Sequence, residues 1–458
     1  MLATFSPENS PSLPEVHGSV HVPKGGSWLR KFMTISGPAY LVSVGYMDPG
    51  NWATDLAGGS KFGYQLLWVV LLSNLMAIFL QNLCVRLGVV ARLDLAQACR
   101  DYYPRPAAII LWLLCEVAII ACDLAEVIGS AIGLNLLFHI PLVIGVLLTG
   151  ADVLLLLGLM HWGFRKLEAL VMTLVLTIGV CFAVQIFQAQ PDWVAVTTGL
   201  LQPSMPNLEA LAISLGILGA TVMPHNLYLH SALVQTRDIS DMDTSLRANK
   251  WDTVIALGGA FFVNAGILIL AAAVFHPTGV VVDELQKAHE LLTPMLGGTA
   301  ATLFAVALLC SGQSSTITGT LAGQIVMEGF LHIKVKAWIR RLITRLLAIG
   351  PALWAISATG GSHTVQMLVI SQVVLSMQLP FAIFPLVQFT SDPKRMGDYA
   401  NSAATRSLAY LIGTAISALN FYLLYTQLGN WGLLLSALAV GFWIYLSQAS
   451  RSLSPAAK

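Results

Sequence analysis

Asp48-Pro49-Gly50-Asn51 lies inside an apolar run that extends from about residue 35 to residue 59. A helix crossing a membrane there should be featureless. Pro49 has no amide hydrogen to donate, and its ring collides with the preceding turn. Gly50 accepts almost any backbone angle. Together they stop the helix and restart it near Trp52. Backbone broken at bilayer depth survives only where it is buried in protein or lines a polar cavity. Asp48 places a carboxylate at that break, and a charge at the centre of a bilayer costs roughly 2.5–3.5 kcal/mol on the gentlest insertion scale. Two readings fit: a proline kink capped by an aspartate, and an ion site. The ion site explains why a carboxylate is there at all.

Composition sets the context. Of 458 residues 56% are hydrophobic and 10% charged, and the mean hydropathy is +0.74. Apolar runs of membrane-spanning length recur throughout, which excludes a soluble domain and predicts an all-α polytopic membrane protein. A net charge of +1 argues against nucleic acid as a partner. Residues 1–30 are polar and irregular, without the apolar core and small-residue cleavage site of a secretory signal, and read as a disordered cytoplasmic tail. The six cysteines form no CxxC pair, so packing is expected rather than a disulfide framework.

Twelve spans are predicted, at about 35–59, 65–90, 105–137, 141–160, 167–187, 208–234, 251–275, 299–330, 338–357, 364–389, 407–425 and 431–446. With the N-terminus inside, every one of the 24 lysines and arginines except Lys61 and Lys287 falls on the cytoplasmic side, the bias that orients membrane proteins. Both termini are then cytoplasmic. The proline-bearing loop at 188–207 divides the first ten spans into five and five. Residues 31–190 form one repeat, 204–392 a second of inverted orientation, 404–448 helices 11 and 12, and 449–458 a closing tail. Span six carries a second break, Met223-Pro224-His225-Asn226. Two proline-broken helices at matching places in two halves point to a transporter with its site at the bilayer midplane.

The breaks offer a mixed donor set. Asp48 gives an anionic oxygen, Asn51 an amide oxygen, and the unwound turn before Pro224 frees carbonyls, with Ala220 and Thr221 the expected donors. Met223 adds a thioether. An all-oxygen shell would suit Ca²⁺ or Mg²⁺, whereas a thioether favours softer ions such as Mn²⁺, Fe²⁺, Co²⁺ or Cd²⁺. Methionine also fills gaps in helix bundles. Gln372, in the polar interruption of span ten with Gln378 and Pro380, could reach the metal in a closed state.

Glu116, Asp123 and Glu126 share one stripe of span three. Acids in a membrane helix read as a proton or ion path, or as structural partners for Arg340 and Arg341 at the start of span nine. His225 is suited to proton exchange near neutral pH, and equally to a satisfied place in the core. His225 and His230 do not share a helix face, and no HExxH, P-loop or nucleophile elbow in a suitable context is present. The chain is therefore expected not to be an enzyme and to hold no cofactor.

The two broken motifs resemble the paired signatures of the Nramp family of metal-ion transporters, the natural resistance-associated macrophage proteins. Gln378-Leu379-Pro380-Phe381-Ala382 and the Arg340-Arg341 segment also look like that family, and the resemblance covers about residues 30–430. It implies the fold of the sodium-coupled amino-acid symporters, with helices 1 and 6 broken. It also implies proton-coupled uptake of Mn²⁺ and Fe²⁺ through a bacterial inner membrane. By similarity Asp48, Asn51, the Ala220 carbonyl and Met223 hold the metal, while Glu126, His225, Asp123 and the arginine pair serve proton movement. A monomer is expected to suffice. Two rivals remain at this point: a sodium-coupled amino-acid symporter of the same fold, and a non-transporting metal-sensing receptor. The second would need an output domain that the short tails do not supply.

Overall fold

Both proline motifs break their helices in the computed structural model. It describes residues 3–5, 12–14, 16–23, 25, 27–150, 164–238, 241–282, 284–331, 333–359 and 364–452. The chain begins with a short strand β1 (Ala3–Phe5) and a first helix α1 (Trp28–Ile35), then turns at Gly37, where φ is 135° and a side chain would be strained. It continues as α2 (Pro38–Gly45) and α3 (Pro49–Phe62), with Tyr46, Met47 and Asp48 unwound between them. Prolines open both helices, where a missing amide hydrogen removes no helical bond.

Next come α4 (Leu67–Arg86), α5 (Leu95–Tyr102), α6 (Arg105–Phe138), α7 (Leu142–Thr149), α8 (Phe164–Ala189) and α9 (Trp193–Leu201). The second broken pair is α10 (Leu208–Val222) and α11 (Pro224–Leu233), hinged at Met223. The rest are α12 (Met242–Val274), α13 (Leu285–Leu296), α14 (Gly298–Leu331), strand β2 (Ile333–Val335), α15 (Ala337–Thr359), α16 (Thr364–Thr390), α17 (Ala403–Leu428) and α18 (Asn430–Ser452). The two strands pair antiparallel.

Among the described residues nine helical runs are long and apolar enough to cross a membrane. The first, Pro49–Ala91, turns back near Gly63 and joins the second half of the first broken helix to α4. The reversal is visible in the hydrogen bond that Gln81, near the end of α4, donates to the Tyr46 hydroxyl at 3.0 Å. The fourth predicted span is described only over its first part, as α7, and residues 151–163 lie outside the described set. The loop expected at 188–207 contains a helix of its own, α9, capped by Asp192, whose Oδ1 accepts from the amides of Val194 and Ala195.

Several described residues within 1–30 depart from the disordered tail expected of this stretch. Ser12 donates to Asp94 at 2.6 Å, the Leu13 amide donates to Glu328 at 3.1 Å, and the Leu13 side chain is buried. The Gly18 and Val20 amides donate to the carbonyls of Gln235 and Thr236, just past α11. The segment has too few apolar residues for a core, but its backbone completes hydrogen bonds that helix ends leave open. That is why polarity alone misjudged it.

Asp94, in the connection between α4 and α5, caps α5 through a reciprocal pair with Gln97. Burial lifts its carboxyl to about 6, against the opposing hydrogen bond from Ser12. The folded state therefore holds a proton that the unfolded chain, with an ordinary Asp near 3.8, releases earlier. The stabilisation is fully present below pH ~4 and is lost as pH rises towards ~6, by about 3 kcal/mol at most. Asn at this position keeps the cap and accepts from Ser12 without a charge to bury. Asp94→Asn should flatten the dependence of thermal stability on pH between 4 and 7, as measured by melting the purified protein across that range.

Candidate metal centre

The unwound turn at Asp48 would strand its carbonyls in a dry interior unless other groups reach them. Asn264 of α12 donates to the Tyr46 carbonyl at 2.7 Å, and Ser311 of α14 donates to the Met47 carbonyl at 2.5 Å. Two unbroken helices thus hold the break open by supplying what the helix gave up. The close approach of neighbours is possible because Gly50 has no side chain where Gln372 of α16 lies against it, and Gly129 none where Pro49 meets α6.

Asp48 is the N-cap of α3. Its Oδ1 accepts from the Asn51 amide and from Asn51 Nδ2, both at 2.8 Å. Asn51 Nδ2 also donates to the carbonyl of Ala220 at 3.0 Å and, more weakly, to that of Gly45 at 3.3 Å. Three oxygens from the two broken helices therefore converge on one amide nitrogen. A cation would find the same oxygens, with Asn51 turned to present its own Oδ1. That atom now accepts from Asn264 at 3.3 Å.

At the second break Met223 has φ 32° and ψ 106°, a conformation rarely adopted by a residue with a side chain. Its sulfur lies against Gly45, and Asn226 Nδ2 approaches it at 3.5 Å. Met223 packs in one buried cluster with Cys122, whose sulfur is 3.9 Å from Asp48 Oδ2 and 4.0 Å from Glu126 Oε1. From sequence Cys122 pairs with Cys115 on one helix face, where packing outweighs a soft-metal pair; only the fold sets its sulfur beside Asp48. Gln372, fully buried, leaves its Oε1 without a hydrogen bond. Asp48, Asn51, Ala220, Met223 and Gln372 are thus gathered at the two breaks. Among the described residues no three His, Cys, Asp or Glu side chains form a cluster that could hold a metal. The donors gathered here are mixed and mostly neutral.

The predicted proton residues divide. Asp123 and Glu126 meet Arg345 of α15, whose Nη1 is 3.5 Å from Glu126 Oε2 and 3.9 Å from Asp123 Oδ1. Thr316 of α14 joins them, donating to Glu126 and accepting from Arg345 Nη2 at 2.8 Å. Glu116 belongs elsewhere: it accepts from Arg340 at 2.6 and 2.9 Å and from Trp112. The sequence offers Arg340 and Arg341 as partners for the acidic stripe. The inner pair instead takes Arg345, five residues further into the same helix. The side chain of Arg341 lies outside the described set. His225 is buried and its Nδ1 makes no hydrogen bond, while His230 Nδ1 is 3.0 Å from Gln81 Oε1.

On the side of the N-terminus buried polar contacts tie the start of α2 to α8, α12 and the segment after α11. Arg237 donates to Glu168 at 2.7 Å and to the carbonyls of Ile35 and Ser36. Asp252 accepts from Ser36 and from the amides of Gly37 and Ala39 at the start of α2. On the opposite side a cavity of about 660 Å³ lies among α3, α10, α16 and α17, with the Lys61–Glu209 ion pair at its rim.

Residues 39–426 match the model of the family described as natural resistance-associated macrophage protein-like. The chain is 56% identical over 433 residues to a divalent metal cation transporter MntH of Nostoc, covering 93% of this chain and 98% of that one. It is 51% identical to the protein of that name from Listeria monocytogenes, over 92% of this chain and 96% of the other. A crystal structure of a manganese transporter from Eremococcus coleocola superposes with a TM-score of 0.89 at 39% identity, covering 97% of this chain and all of that one. The nucleobase-cation-symport transporter Mhp1, 15% identical, superposes at 0.57 over 97% of this chain and 96% of its own, a likeness of fold alone.

Arg345 is fully buried between two carboxylates. Removing one partner of a buried ion pair destabilises by about 3–5 kcal/mol. Arg345→Ala should lower the melting temperature sharply, Arg345→Lys less so, and Arg345→Ala combined with Asp123→Asn and Glu126→Gln should recover much of the loss in the same melting assay.

Proposed function

The chain belongs to the natural resistance-associated macrophage protein family, and we propose that it imports divalent transition-metal ions across a bacterial plasma membrane together with protons, by alternating access. Mn²⁺ and Fe²⁺ are the expected cargo, with Co²⁺ and Cd²⁺ also accepted. The observation that carries this reading is the convergence of Asp48, Asn51, the Ala220 carbonyl and Met223 at two facing breaks. A carboxylate and two neutral oxygens bind any small dication. The thioether shifts preference from Ca²⁺ and Mg²⁺ towards softer ions.

The acids beside the site supply the proton side. Asp123 and Glu126 both lie against Arg345 within the membrane, and acids at that depth are candidate proton carriers. Cys122 lies between Asp48 and Glu126, so the two acids are close enough for the charge on one to bear on the other. Metal ligation favours ionised Asp48, and loss of its proton towards Glu126 and Asp123 would link the two flows. The arginine-rich side, tied together here by Arg237, Glu168 and Asp252, is cytoplasmic by the positive-inside bias. The arrangement described is then read as closed to the cytoplasm, with its cavity outside. A monomer contains every residue in this scheme.

A sodium-coupled amino-acid symporter would instead need donors for a substrate carboxylate, where Asp48 stands. Calorimetry should give heat with Mn²⁺ and none with neutral amino acids. In proteoliposomes, Mn²⁺ uptake should be accompanied by internal acidification; uptake without a pH change would remove the proton from the scheme. Asp48→Ala should abolish uptake, and full retention would remove the site itself. Met223→Ala should let Ca²⁺ compete while Mn²⁺ transport falls less; continued exclusion of Ca²⁺ would contradict the role given to sulfur.

A further inference from the structure

A groove of about 760 Å³ runs between α4, the first turns of α12 and the connection leading into α17, well away from the two breaks. Its mouth is cationic, with Arg86 at the end of α4 and Arg247 and Lys250 on α12. Its inner wall is apolar: Phe79, Ile78 and Leu75, each further along α4 from Arg86. Leu75 is eleven residues before Arg86, a distance of about 16 Å along a helix. That is close to the depth of one leaflet's hydrocarbon, about 15 Å. Leu75 is 53% exposed, so the trough opens sideways to the membrane and not only to water.

Two tryptophans fix the level of the mouth. Trp251 follows Lys250 directly and is half exposed, and Arg247 stacks on Trp28 of α1 at 5.1 Å. Leu29 and Met33 of α1 are also exposed. Tryptophans in such places mark the headgroup layer. The three cations thus stand at headgroup depth above a trough at acyl depth.

The charges at the mouth are available to a ligand. Among the described residues neither Arg247 nor Lys250 forms an ion pair. Arg86 gives one nitrogen to Asn401 at 2.8 Å and keeps its other donors. Asp243 and Asp398 also line the mouth, but Asp243 is engaged by the Tyr399 hydroxyl at 2.7 Å. Cations outnumber acids.

We propose that this groove binds an anionic phospholipid of the cytoplasmic leaflet, with its phosphate among Arg86, Arg247 and Lys250 and an acyl chain along Leu75, Ile78 and Phe79. Basic pockets between helices on this side of a membrane recognise such headgroups. The site depends on the bilayer placement of the helices and not on which ion is carried. It also touches the machinery indirectly. Gln81 of α4 holds Tyr46, and Asn264 of α12 holds both Tyr46 and Asn51. A lipid seated between these helices and the connection to α17 would steady the frame that holds the first break.

The test is native mass spectrometry and thermal melting of the detergent-purified full chain, titrated with phosphatidylglycerol, phosphatidylcholine or inorganic phosphate. Phosphatidylglycerol should remain bound and raise the melting temperature, whereas phosphatidylcholine and phosphate should not. Arg247→Ala with Lys250→Ala should weaken phosphatidylglycerol binding roughly thirtyfold, and Lys287→Ala, on the other face of the membrane, should leave it unchanged. Leu75→Trp fills the trough without touching a cation and should also expel the lipid. Unaltered binding in either the double variant or Leu75→Trp overturns the proposal, provided each elutes as a monodisperse species. Equal stabilisation by phosphatidylcholine, or by phosphate alone, overturns it as well.

Discussion

Asp48 accepts two hydrogen bonds from Asn51, one from its backbone and one from its side chain, and the molecule is arranged to keep that turn open. A helix would close it spontaneously were Pro49 not there. Once it is open, the carbonyls of Tyr46 and Met47 must be met from elsewhere. Asn264 and Ser311 meet them from two long helices. The break is therefore a joint built by four helices, and glycine at 50 and 129 allows the neighbours to close around it.

Around this joint the ion pairs stand in separate groups. Asp123, Glu126 and Arg345 lie to one side, Glu116 and Arg340 further along, and Glu168 and Arg237 at the N-terminal side. Buried ion pairs are weak sources of stability, because desolvation offsets most of their attraction. Their placement makes more sense as a set of positions where charge is tolerated only in certain combinations. The arrangement at Arg237 and Asp252 holds α1 and α2 in place. The arrangement at Arg345 gathers two acids and a guanidinium from facing helices.

Much of the fold could be read in advance because the rules concerned are local. Proline in an apolar run is a strong helix breaker, so both hinges were placed within a few residues, although the first helix resumes at Pro49 rather than near Trp52. Long apolar runs with basic ends gave the spans α6, α14 and α15 within a few residues. What could not be read depends on partners distant in the chain. Arg345 sits in an apolar stretch that gives no hint that α6 brings two acids to it. Cys122 looked like packing, since only the fold sets its sulfur beside Asp48. Asn264 and Ser311 serve a turn more than two hundred residues earlier. The docking of Leu13 and Val20 was missed because a polar segment with no core of its own can still be ordered by other helices' open ends.

The backbone at Met223 has a consequence for anyone altering this protein. A side chain held at φ 32° stores strain of order 1–3 kcal/mol, and glycine would release it. Glycine would also delete the thioether at the second break. Engineering for heat tolerance and selection for cargo therefore pull this one position in opposite directions, and a variant library scored on robustness alone would erode the chemistry it was meant to preserve.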